Sequence, residues 1–221
     1  REAQALHAAR ERARLHQARA FGGSASAAAH KEMLGERGER GSGQAAPVGA
    51  ASGRGGEVAR AVGTAIHRVL EEFDFAADPQ AELSRQRDAL ETQLAGGSDA
   101  ALAEARELLE RIAQGKLFAR LRALAGAILH RELPVLVPPE AGAGPAGYVS
   151  GVVDLVYRDP ASGELVIADY KTDRLDEAGA EERSAAYREQ GAVYQTALRD
   201  GLGLAYTPRF ELWYLRADVW V

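Results

Sequence analysis

Gly147-Tyr-Val-Ser-Gly-Val-Val-Asp-Leu-Val-Tyr157 runs into Arg158-Asp-Pro-Ala-Ser-Gly-Glu164 and then Leu165-Val-Ile-Ala-Asp-Tyr-Lys-Thr172. Two runs rich in β-branched and aromatic residues flank a Pro/Ser/Gly turn, the pattern of a β-hairpin. With the turn centred near Ala161 and Ser162, Asp154 falls opposite Asp169. Directly opposed residues share a face, with Cβ atoms about 5 Å apart. Asp169 and Lys171, two apart, share that face too. Two carboxylates and an ammonium therefore converge on an otherwise apolar hairpin. Carboxylates this close repel, and one takes up a proton unless a cation sits between them. Oxygen-rich sites of this kind suit Mg²⁺ or Mn²⁺.

Outward from the hairpin, Val153, Leu155, Tyr157, Val166, Ala168 and Tyr170 make its other face apolar, so the sheet is expected to be covered on both sides. Upstream, His130 to Val137 reads as a strand, and Pro134 places it at an edge or a bulge. Pro138 to Gly147 reads as a loop. Further back, Val62, Ile66, Val69, Leu70 and Phe73 lie at helical spacing within Glu57–Phe75. Residues 80–95, 99–113 and Lys116–Leu129 read as three more helices, an insert between that first helix and the sheet. Downstream, Glu181–Leu202 reads as one long helix and Arg209–Val221 as a last strand. The order is α-β-β-β-α-β in an α/β fold.

The N-terminal segment differs. Residues 1–20 are Ala-rich with five arginines and read as a linker helix. Residues 21–56 are Gly/Ala/Ser-heavy, with too few large apolar side chains to offset chain entropy, and read as a flexible linker. The domain proper is expected over 57–221. Residue 1 is Arg rather than Met, which reads as a piece of a longer protein.

Asp154, a turn, then Asp169-Tyr-Lys171 resembles the catalytic signature of PD-(D/E)XK nucleases. Gly151-Val-Val-Asp154-Leu-Val and Ala168-Asp-Tyr-Lys-Thr172 resemble the RecB/AddA branch in particular. Gly63-Thr-Ala-Ile-His67-Arg-Val-Leu-Glu71 is similar to the family's first motif, and Gln190-Gly-Ala-Val-Tyr194 to its last. The resemblance implies a restriction-endonuclease-like core with a mixed central sheet. It implies that Asp154 and Asp169 hold the metal, with His67 and the Tyr170 backbone carbonyl as further ligands. It gives Lys171 the attacking water and the phosphate charge. Glu132 matches an acidic position of the family, although an edge-strand Glu facing water explains it equally well. Gln190 and Tyr194, with Tyr187 on the same helical face, would help place DNA, and Thr172 could reach a phosphate. Imidazole suits Mn²⁺ better than Mg²⁺. On its spacing alone His67 is more often structural than a ligand, and Glu71 reads as a solvated helix carboxylate.

By the same resemblance the chain is a DNase domain. It would act on single strands delivered by a helicase motor, on the same or a partner chain, in DNA end processing and recombinational repair. A catalytically inactive DNA-binding module and a site-specific endonuclease are the alternatives. The chain has no cysteine, so a disulfide framework, a thiolate zinc site and an iron–sulfur cluster are excluded. No phosphate loop of an ATPase occurs in the chain. No apolar run approaches the roughly 18 residues of a membrane span, and the cytoplasm is the expected setting. The net charge of −5 is unlike the basic footprint of a stand-alone DNA binder. It suits a domain to which another supplies the grip.

Overall fold

The computed structural model describes residues 20–24, 54–137 and 146–221. In chain order they form β1 (Ala20–Ser24), α1 (Arg54–Glu72), α2 (Pro79–Gln93), α3 (Asp99–Ala113), α4 (Lys116–Ala123), β2 (Ile128–Val137), β3 (Ala146–Arg158) and β4 (Leu165–Lys171). Then come α5 (Glu177–Ser184), α6 (Arg188–Gly201), β5 (Arg209–Tyr214) and β6 (Val219–Trp220). The helix, helical insert, three strands, helix and strand appear in the expected order. Among the described residues, no helix is long and apolar enough to cross a membrane.

The sheet is mixed. β3 and β4 pair antiparallel from Leu155↔Ala168 to Arg158↔Leu165, which centres the turn between Ala161 and Ser162 as the sequence implies. Asp159 accepts a hydrogen bond from the Ala161 N–H at 2.8 Å, and Gly163 takes φ +74° to complete the reversal. β5 lies parallel to β4, and β6 antiparallel to β5. β2 pairs antiparallel with β3 and, among the described residues, with no other strand. Pro134 therefore sits on an edge strand, where its missing N–H costs no ladder bond.

Both faces of the sheet are covered. On one, the expected stripe of α1 is buried with Leu155, Tyr157, Val166, Ala168, Tyr170 and the insert helices. On the other, Tyr194 and Leu198 of α6 pack on Val156, Leu165 and Ile167. Val153, expected on the first face, belongs to this second cluster. The sense of β3 changes between Val153 and Leu155, at Asp154.

Four boundaries differ from the sequence reading. The helix expected over Lys116–Leu129 stops at Ala123, because Ile128 pairs with Tyr157 as the start of β2; pairing outweighs helical propensity there. The long helix expected from Glu181 is broken by a 3₁₀ turn at Ala185–Tyr187 into α5 and α6. The last strand is two, β5 and β6, divided by a turn in which Asp218 takes φ +57°, a conformation Asp tolerates better than most residues. Within the segment read as a linker, Ala20–Ser24 form β1, parallel to Ala146–Ser150 of β3. The linker helix over 1–20 and most of 21–56 lie outside the described residues.

Candidate metal centre and its surroundings

The site is built where β3 and β4 part. Their ladder stops at Leu155↔Ala168, so Asp154 and Asp169 are the next residues in that register. Beyond it, the Tyr170 N–H donates to Asp154 Oδ2 at 2.5 Å. The carboxylate takes the place a β3 carbonyl would hold in a continued ladder, so the Tyr170 N–H keeps an acceptor.

β2 supplies the third acid. Arg131 pairs with Leu155 and Leu133 with Val153, which puts Glu132 across from Asp154. Glu132 takes φ +46°, a left-handed conformation that costs a non-glycine residue about 1–2 kcal/mol. Its neighbour Arg131 is clamped, donating to the carbonyls of Glu71 at 3.0 Å and Phe73 at 2.6 Å. Over this pair α1 brings His67, whose Nδ1 lies 3.1 Å from Asp154 and 3.9 Å from Glu132. His67, Glu132 and Asp154 each offer one ligand atom within 4.8 Å of the others. Glu71, one helical turn on, is instead paired with Arg68 at 2.7 Å.

Asp169 stands outside that trio. It is 3% exposed; its Oδ2 lies 2.5 Å from Lys171 Nζ, and its Oδ1 accepts from Gln190 Nε2 at 3.1 Å. The Gln190 carbonyl accepts from Lys171 at 3.0 Å, and its amide also donates to the Tyr194 hydroxyl at 2.9 Å. One buried side chain of α6 thus holds both Asp169 and Lys171 in place. Gly191 makes this possible: a Cβ there would stand 2.6 Å from the Phe210 ring, so α6 could not sit as close to β5. Lys171 Nζ also lies 4.0 Å from the centre of the Tyr187 ring. Tyr187 therefore stays near the site although the helix is broken before it.

His67, Glu132, Asp154, Asp169, Tyr170, Lys171, Gln190 and Tyr194 all line one open cavity of about 750 Å³. Thr172 does not line it; its hydroxyl faces Gly63 of α1. Of the residues proposed from the sequence to place DNA, Gln190 and Tyr194 are buried; Gln190 is engaged with Asp169 and Lys171, and Tyr194 with Gln190.

The charges strain one another. Burial, and then the Asp154 charge, push the Glu132 carboxyl up to about 7. Asp169 is pushed up to about 6, by burial first and by Asp154 against the pull of Lys171. Burial works to lower the His67 pKa, but the hydrogen bond to Asp154 and the charges of Asp154, Asp169 and Glu132 raise it overall. Lys171 is likewise opposed by burial yet held above its ordinary value by Asp169. Acids that resist ionisation and an imidazole that favours its cation are what a carboxylate cluster shows when its cation is a proton. The donor set, carboxylate oxygens with one imidazole, fits a hard or borderline divalent ion.

Glu132 was the least distinctive of the residues picked from the sequence, and a signal for it was present. A fold centred at position 143, half a residue past the middle of the 138–147 loop, sets Glu132 against Asp154. The lock that Gln190 makes between Asp169 and Lys171 has no such signal, because it depends on how α6 crosses the sheet.

Compared with protein-family models, residues 46–219 match the PD-(D/E)XK nuclease superfamily. No curated protein sequence matches the chain. The nucleases of that family usually use divalent metals, in keeping with the acid-and-imidazole cluster at the parting of β3 and β4. With four-fifths of its length matched and its fold in agreement, the chain belongs to the PD-(D/E)XK nuclease superfamily.

Proposed function

We propose that this chain is a metal-dependent deoxyribonuclease domain of the RecB/AddA kind, hydrolysing phosphodiester bonds of single strands delivered by a helicase motor. The observation that carries the reading is the convergence of His67, Glu132, Asp154, Asp169 and Lys171 on one cavity. His67, Glu132 and Asp154 would hold the ion, with Asp169 and the Tyr170 carbonyl completing its surroundings. A bound Mg²⁺ or Mn²⁺ would supply Lewis acidity and a water acidic enough to attack at neutral pH.

The remaining work falls to the protein. Lys171 faces the cavity as a cation, suited to a phosphoryl oxygen gaining negative charge. Asp169 and Gln190 fix where that charge lies, and the Tyr187 ring backs it. Tyr194 holds Gln190. Tyr187 and Thr172 stay as outer contacts for DNA in this reading. The acidic net charge supports delivery of the strand by another domain, in DNA end processing and recombinational repair, in the cytoplasm.

The test is cleavage of a labelled single-stranded oligonucleotide with Mg²⁺ or Mn²⁺. Asp154→Asn, Asp169→Asn and Lys171→Ala are each expected to lose at least about 100-fold in rate while keeping the native fold by circular dichroism. Wild-type rates in Lys171→Ala would remove the mechanism, and failure of the wild-type protein to cut DNA under any divalent ion would remove the function.

A further inference from the structure

We infer that the β2–β3 ribbon beside the acids is a seat for one unpaired nucleobase, formed by Pro134, Leu136 and Val152. The inference rests on the nuclease reading above and adds what lies next to the reacting phosphate. In the β2–β3 register, Pro134 pairs with Val152 and Leu136 with Ser150. The cavity that holds Glu132 and Asp154 runs on over these rows, lined by Pro134, Leu136 and Val152. One row lies two residues from the next, about 7 Å along the strand, a step comparable with that from a nucleotide's phosphate to its base.

The ribbon is apolar and open here. Leu136 is 61% exposed and Val152 42%. Single exposed apolar residues are ordinary, but these are adjacent and line the same cavity as the acids. On the opposite face Leu133, Val135 and Val153 pack towards α6, which holds the ribbon firm. Around the seat the cavity is lined by Pro134, Val135, Leu136, Ser150, Gly151 and Val152, with no charged side chain among them. Among the described lining residues of the seat there is no cation for a phosphate. The flat, uncharged face of a base suits it instead, because covering that face with apolar side chains takes surface out of water whatever the sequence. In a duplex both faces of a base are already stacked, so a paired base has no face to offer. The seat therefore favours an unpaired strand through Leu136 and Val152, independently of the metal cluster.

The experiment compares kcat/KM on two strands of equal length and charge: oligothymidylate, and the same sugar–phosphate chain made of abasic residues. Mn²⁺ is present for both, and the readout is the ratio of the two values. Wild-type protein is expected to favour the base-bearing strand by about tenfold, the effect of covering roughly 50 Å² of apolar surface. In Leu136→Ala/Val152→Ala that ratio falls towards one, and the isosteric Val152→Thr lowers it in part. Both positions are exposed, and melting curves verify that the variants fold. A wild-type ratio of one, or a full ratio retained in the double variant, overturns the seat while leaving the nuclease reading intact. No cleavage of either strand by the wild type overturns both.

Discussion

Glu132 carries more of the site than its edge-strand position suggests. It holds a left-handed backbone, faces Asp154 and lies within ligand reach of His67. Strain of that kind persists where the surroundings over-determine it, here through Arg131 bound to the end of α1. Glu132→Gln removes one charge and keeps the shape. It is expected to weaken Mn²⁺ binding by at least about tenfold in isothermal titration, and an unchanged affinity would place the ion elsewhere. Gln190→Ala tests the other half of the site. It frees Asp169 and Lys171 together, so kcat is expected to fall by about 10–100-fold with little change in KM. Gln190→Glu should not rescue it, since a carboxylate cannot donate to Asp169.

At the level of elements, the site depends on a close crossing of α6 over β5. Gly191→Ala puts a methyl group into the Phe210 ring. Overpacking of this kind costs about 1–3 kcal/mol, readable as a lower denaturation midpoint, and the displaced Gln190 should lower the cleavage rate as well. The double variant Gly191→Ala/Phe210→Leu should recover part of both. The hairpin was legible because its turn chemistry, alternation and charges all act within twenty residues, and the α1 stripe because helical periodicity is local. The break at Ala185–Tyr187, the early start of β2 and the turn before β6 were not, because each is decided by pairing or packing with distant chain. Asp154 and Asp169 could be placed from the hairpin alone. Asp169's partnership with Gln190 could not, and neither could the change of face at Asp154 that sends Val153 towards α6.

For the whole molecule, the acids make metal-free stability depend on pH. Glu132 and Asp169 have folded-state values near 7 and 6, above the ordinary carboxylate range. A raised acid favours the folded state while protonated and loses that advantage as pH rises through its folded value. His67, raised overall by the same carboxylates, loses its contribution in the same direction. The melting temperature of metal-free protein is therefore expected to fall between pH 5 and 8. Millimolar Mn²⁺ should restore it, more at pH 8 than at pH 5.5, because protons compete for the same oxygens. Equal stabilisation at both pH values would argue that the ion avoids these residues. Glu82 works the other way. Its hydrogen bond from Arg85, with those from Gln86 and the Asp74 N–H, lowers its pKa to about 2. That contribution is present above the ordinary carboxylate value and is lost as pH falls from about 4.5 to 2.

The turn before β6 ties the last part of the chain to the helical insert. Asp218 accepts from the Lys116 N–H at 2.7 Å and the Leu117 N–H at 2.9 Å, closing the start of α4 across a hundred residues. Gly115 leaves room for it, since a Cβ there would stand 2.4 Å from an Asp218 oxygen. During synthesis the insert emerges long before its cap. Until residue 218 clears the ribosome, the Lys116 and Leu117 amides lack this partner, so the cap on α4 forms later than the insert's packing on α1 and the hairpin.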